Sequence, residues 1–230
     1  MCGAYLSVFD RAAKGYQISL ARVRRVFSYF LLFFVLVALD AWLFLFFYQQ
    51  SLQGQEDHLE AVWEDIVYFP VPQSAYDKER FGVTFADSWM DSRKFGGERT
   101  HEGCDIMASL NERGKYPVVS MSDGYIEKMG WLKLGGYRIG VRSTRGVYFY
   151  YAHLSDYAPG LAVGDEVKAG ELLGFMGDTG YSETEGTTGY FPVHLHVGIY
   201  LDEDGKEKSY NPYPFLKKLE GSKLTYWICD

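Results

Sequence analysis

Residues 27–48 read FSYFLLFFVLVALDAWLFLFFY, 22 residues with one charge, Asp40. A run of that length matches the hydrocarbon thickness of a bilayer. Asp40 near its middle costs about 2.5–3.5 kcal/mol on an insertion scale, and each Leu, Phe or Val returns roughly 0.3–0.6 kcal/mol. More than a dozen such residues outweigh it, so 27–48 is expected to be a transmembrane helix. Arg22, Arg24 and Arg25 precede the run, and Glu56, Asp57 and Glu60 follow it. By the positive-inside rule residues 1–26 form a cytoplasmic basic segment and residues 49–230 lie outside the cell membrane. The run is longer than the apolar core of a signal peptide, and no small-residue cleavage site follows in YQQSLQGQE. An uncleaved single-pass anchor is therefore expected.

Charge separates the two sides. Arg11, Lys14, Arg22, Arg24 and Arg25 stand against Asp10, a local +4, which leaves −11 on the remainder of a chain whose net charge is −7. An acidic exterior part argues against nucleic acid as a partner. It also offers acidic peptides little attraction, so binding is expected to depend on groove shape. Cysteine is sparse. Cys2, Cys104 and Cys229 form no CxxC pair, which excludes a zinc ribbon and a thioredoxin-like redox motif. Cys104 and Cys229 fall on one side of the span and could pair, but unpaired thiols are the expectation, since the spacing resembles no small disulfide framework.

Beyond the span, residues 49–79 read as an extracytoplasmic stalk. Leu52, Leu59, Val62 and Ile66 would line one side of a short helix, which Pro70 and Pro72 would end. From about residue 80 the pattern changes. The stretches 125–129, 137–142 and 147–154 are short β-rich runs separated by Gly135-Gly136 and Arg145-Gly146. Gly164-Asp165 and Gly177-Asp178 mark further turns, and 194–200 alternates as another strand. No long amphipathic helix follows residue 66. The spacing predicts a mainly β domain over 80–220, antiparallel and sandwich- or barrel-like, with 221–230 as a tail.

Five histidines are present, and four of them, His101, His153, His194 and His196, fall in the β domain. On a strand, His194 and His196 point to one face while Leu195, Val197 and Ile199 point to a core. Two imidazoles on one face can serve one metal, or one can bind while its neighbour handles protons. His101-Glu102-Gly103-Cys104-Asp105 adds an imidazole and a carboxylate, a donor set suited to zinc. Gly96, Gly97 and Gly103 argue against a helix here. In a loop running into a strand, His101, Gly103 and Asp105 share a face. Glu102 is then a bystander and Cys104 a buried structural thiol. Three protein ligands with an open position make a catalytic zinc site, four a structural one. One carboxylate and four histidines exceed the closed set, which suggests ligands plus proton-transfer groups.

Taken in order, these pieces resemble the lysostaphin/LytM-type (M23) zinc metallopeptidases that cut peptidoglycan peptides. The match runs from about residue 81 to 216. It takes in RTHEGCD at 99–105, Pro117-Val118 with Asp123-Gly124, YAHL at 151–154, VGDEVKAG at 163–170, GFMGDTG at 174–180, His194-Leu195-His196 and Asn211-Pro212-Tyr213. The resemblance implies an antiparallel two-sheet core and a single Zn2+ held by His101, Asp105 and His196. It implies that His153 and His194 flank the reacting water and the scissile carbonyl. Peptidoglycan peptides are the implied substrate, and an activator protein of the envelope is left open as a partner. YSETEGTTGYFPV at 181–193 departs from the family's compact linker and would shape the substrate groove. Two other readings stand beside this one. A catalytically silent LytM-like scaffold or binding module, in cell-envelope or sporulation assembly, would have lost ligands. A small-molecule carrier would leave four clustered imidazoles unexplained.

Overall fold

The computed structural model describes residues 3–94, 97–203 and 205–228, and the side chains within them except over 3–19 and 53–58. The chain divides into two compact units, Met1–Asp57 and His58–Asp230, with the boundary inside one long helix, Gly3–Asp65. In the first unit the helical stretch Leu20–Leu52 contains an 18-residue window of mean hydropathy 2.6 and is long and apolar enough to cross a membrane. At about 1.5 Å per residue, the 22 residues of 27–48 span roughly 33 Å, close to a hydrocarbon core of about 30 Å. Phe27, Leu31, Phe34 and Leu45 are all exposed. A helix apolar all round needs a non-aqueous surrounding, which is compatible with membrane anchoring. The stretch read as stalk is helical as far as Asp65, in one run with the apolar segment. No proline interrupts 27–65, and one helix continues to Asp65.

The second unit is mainly β. Its principal sheet is antiparallel throughout and runs in the order Glu166–Val167, Gly124–Leu132, Gly136–Ser143, Tyr148–Tyr157, His194–Glu203, Cys104–Ala108, Val83–Phe85. The three runs read from sequence are the strands Gly124–Leu132, Gly136–Ser143 and Tyr148–Tyr157. The sheet forks along Tyr148–Tyr157. Residues Tyr148 to Ala152 pair with His194–Glu203, whereas Leu154 to Tyr157 pair with Leu172–Met176, which pairs in turn with Pro117–Val119. Leu195, Val197 and Ile199 are fully buried, together with Ile106, Ile139, Phe149 and Tyr151. A seven-residue helix, Tyr213–Leu219, follows the final hairpin and buries Phe215, Leu216 and Leu219.

The compact unit reaches further at both ends than the sequence alone marks. Val62, Phe69 and Val71, in the stretch read as stalk, are completely buried. Trp63 stacks on Phe215 with ring centroids 4.3 Å apart. Gln73–Ser74 pairs in parallel with Thr225–Tyr226, inside the stretch read as tail. Two-residue strands are too short to show a period. The helix ends at Asp65, whose buried carboxylate accepts hydrogen bonds from Ser143 Oγ, Thr144 Oγ1 (3.3 Å), Arg145 N (3.2 Å) and Arg145 Nη1 (2.9 Å). Cys104 is buried, and its thiol donates to Ala86 O at 3.3 Å. Cys229, its suggested partner, lies outside the described residues, as does Cys2.

Asp65→Ala leaves those four donors without their acceptor. The expected loss is about 2–3 kcal/mol, discounted for the partial exposure of Arg145, with Asp65→Asn losing less. Thermal unfolding of the full chain in detergent checks both; unchanged melting of the alanine variant would contradict the role given to Asp65.

Candidate metal and catalytic site

The fork in the sheet gathers the histidines. His196 and Asp105 are direct cross-strand partners, with Val197 opposite Cys104 on the buried side. Across the other edge His196 faces Ala152, one residue before His153, and His194 bridges to Gly177. All five residues singled out in the sequence therefore meet at one place. Glu102 is exposed, and its carbonyl accepts from Tyr200 Oη at 3.3 Å.

Three donor atoms form a tight triangle. His101 Nε2 lies 2.9 Å from His196 Nδ1 and 3.1 Å from Asp105 Oδ1, and His196 Nδ1 lies 3.0 Å from the same oxygen. His101 Nδ1–H donates to Ser88 O at 2.9 Å, so its Nε2 carries a lone pair toward the triangle. Three electron-rich atoms at this separation repel unless a proton or cation sits among them. Bonds near 2 Å in a tetrahedral array place ligand atoms roughly 3.3 Å apart. The residues present therefore fit a divalent cation.

Two residues that the sequence reading passed over hold the triangle. Arg93 Nη2 binds Asp105 Oδ2 at 2.9 Å, which turns Oδ1 inward. Arg93 belongs to a two-residue strand, Ser92–Arg93, paired with Arg99–Thr100 just ahead of His101. Gly103 supplies room. A Cβ there would lie 2.3 Å from His196 Cε1, so only glycine lets the imidazole lie over the loop. Its place in HEGCD, on the face of His101 and Asp105, was a signal for this, but only the position of His196 explains it.

His153 and His194 sit beside the triangle. Each donates Nδ1–H to a carbonyl, His153 to Thr179 O at 2.7 Å and His194 to Pro192 O at 2.8 Å. Their Nε2 atoms are thereby left as acceptors. His194 Nε2 is 3.9 Å from Asp105 Oδ1, and the two rings have centroids 4.6 Å apart. His153 has φ = 63° and lies at a β-bulge where Ala152 and His153 together oppose Arg138. The bulge turns the side chain out of the regular alternation. Burial lowers the pKa of both rings, that of His153 strongly, so both are neutral near pH 7. The 181–193 loop reaches the site: Phe191 packs on His153 and His194 at 4.6 and 4.9 Å, and Tyr181 on Phe191 at 4.8 Å.

These groups open into a cleft of ≈ 620 Å³. Arg93, Arg99, Lys128 and Arg138 line it together with Glu102, Asp105 and Glu207, so the cleft brings charges of both signs around the site.

Residues 99–212 match Peptidase family M23. An L-Ala–D-Glu endopeptidase of Bacillus subtilis is 41% identical over 152 residues, 66% of this chain and 43% of that protein. Lysostaphin of Staphylococcus simulans is 35% identical over 119 residues, 51% of this chain and 21% of that one. The crystal structure of a protein from Ruminococcus gnavus, assigned as a glycyl-glycine endopeptidase LytM, is 56% identical with a TM-score of 0.68, covering 74% of this chain and 66% of that one. The chain spans less than half the length of the curated relatives it matches.

Gly103→Ala sets a methyl against the His196 ring and, at 2.7 Å, against the Val197 carbonyl oxygen, so both must shift. The expected result is at least a tenfold weaker affinity for a divalent cation with the fold retained, measured by metal titration alongside circular dichroism. Unaltered affinity would mean that His196 Nδ1 is not a ligand atom.

Proposed function

We propose that this chain, which belongs to Peptidase family M23, is a zinc-dependent endopeptidase that hydrolyses peptide bonds of peptidoglycan. The observation that carries the reading is the inward-facing triangle of His101, Asp105 and His196 with two neutral imidazoles at its side. His101 Nε2, Asp105 Oδ1 and His196 Nδ1 would hold the zinc. When bound, zinc supplies Lewis acidity toward an amide carbonyl and lowers the pKa of water toward neutrality. His194 takes the proton of the attacking water on Nε2 and returns it to the leaving amine. The base role falls to His194 because its Nε2 lies 3.9 Å from Asp105 Oδ1. His153, held as the Nδ1–H tautomer by Thr179 O, faces the cleft with Nε2 as an acceptor, and takes a hydrogen bond from the second O–H of the attacking water and then from the hydroxyl of the tetrahedral intermediate, which orients both. A silent binding module would need none of these groups, and all five are in place.

The same reading assigns 27–48 to the membrane, 1–26 to the cytoplasm, and the parts beyond to the outer face of the cell membrane. There 49–79 leads into the peptidase domain of 80–220, with 221–230 closing against it. The basic segment before the apolar run and the acids after it support that orientation.

His101→Ala and His196→Ala are expected to lose both metal retention and hydrolysis. His153→Ala and His194→Ala should keep metal and lose about 10²–10⁴-fold in kcat. Elemental analysis and digestion of purified peptidoglycan read the two effects separately; parental digestion by all four variants sinks the assignment.

The pH profile gives a further check. Burial lowers both histidine pKa values, so the neutral forms persist below the ordinary value of about 6.5. Hydrolysis is then lost only as pH falls through the lowered values. The acid limb of kcat/KM is expected below pH 6.5, and a limb at or above it would exclude buried histidines as the titrating groups.

A further inference from the structure

Among the described residues, Arg138 in the cleft has no anionic partner. Of the four basic side chains there, Arg93 is engaged with Asp105 at 2.9 Å, Lys128 lies 3.5 and 3.6 Å from Glu127 and Glu207, and Arg99 has partners of its own. Arg138 has no carboxylate within ion-pair distance among the described residues, and its Nη1 is buried without a hydrogen-bond partner. An unsatisfied buried guanidinium nitrogen is unfavourable by a few kcal/mol at most sites and is rarely left so without a reason.

Its surroundings explain why the protein gives it nothing. On one side the residue directly opposite is Gly130, which has no side chain. On the other side it faces the bulge of Ala152 and His153. The nearby Tyr148 and Tyr150 line the same cleft and feel its charge, but their hydroxyls cannot neutralise it. Arg138 thus lines the cleft opposite the bulge that carries His153, with one buried guanidinium nitrogen that no group among the described residues satisfies. Its match is a planar anion with two oxygens.

We propose that Arg138 anchors a substrate carboxylate carried by the residue next to the scissile amide. This rests on the endopeptidase reading above and deepens it, because it chooses between the bonds named for the relatives. A glycyl-glycine bond carries no such group. An alanyl-glutamyl bond always does, since a glutamyl residue keeps one carboxyl outside the main chain whichever carboxyl bears the next link. The bond cut is therefore next to an acidic residue.

The test uses the full chain in detergent and a synthetic peptide containing L-Ala–D-Glu, in three forms: unmodified, amidated at the free glutamyl carboxyl, and amidated at its C-terminus only. Amidating the glutamyl carboxyl is expected to raise KM about 10- to 100-fold with kcat within about twofold, the range for a charge-assisted pair. Amidating the C-terminus should change neither. Arg138→Gln should raise KM for the unmodified peptide to the level of the glutamyl amide and leave the amide unaffected, while Arg138→Lys recovers part of the difference. Calorimetric titration of the same peptides gives the same ranking without turnover. Equal binding of the unmodified peptide and its glutamyl amide overturns the anchor, as does unchanged discrimination by Arg138→Gln or a loss that follows the C-terminal carboxyl instead. Carboxylate-dependent binding through Arg138 without cleavage of any form would refute the endopeptidase reading and leave the anchor standing.

Discussion

The site depends on the register between two neighbouring strands. His196 must lie opposite Asp105 for the imidazole and the carboxylate to converge, and that pairing also sets Val197 against Cys104 and Leu195 against Ile106 on the buried side. Side chains alternate with period two, so a slip of one residue would send His196 and Asp105 into the core and Val197 out. Burial of Leu195, Val197 and Ile199 therefore fixes the register for hydrophobic reasons, and the donor triangle inherits it. Chemistry and packing are enforced by the same hydrogen bonds.

What was legible in the sequence was whatever repeats locally. The alternation in 194–200 gives both the core face and the histidine face, and the glycine turns delimit the three central strands. His101 and Asp105 declare themselves by residue type, and Gly103 confirms an extended path between them. What was not legible depends on contacts between distant segments. Arg93 becomes meaningful only when a two-residue strand folds it onto Asp105. Ser88 matters through its carbonyl, which has no sequence signature. Phe69, Val71 and Ile228 looked like parts of a linker and a tail, yet each is buried because the two ends of the domain pair with each other.

The charge pattern follows the same division between global and local. A chain of pI ≈ 5.3 repels acidic polymers at long range, and within a Debye length of about 8 Å only the nearby groups count. In the cleft those are four cations and three carboxylates, with aromatic rings between them. Recognition of an acidic ligand is thus decided after encounter, by fit and short-range pairing, and should tolerate added salt better than a binding event steered from afar.

His153 illustrates a tension within the fold. Its backbone sits at φ = 63°, a region that most side chains avoid and glycine enters freely. Such conformations are typically unfavourable by about 1–3 kcal/mol and persist where the surrounding structure imposes them. Here the bulge, the amide bond to Gly135 O and the ring bond to Thr179 O impose it. The polypeptide would be at ease with glycine at this point. Selection for robustness alone would push the position away from histidine; under the proposed function, the imidazole there exchanges resilience for reactivity.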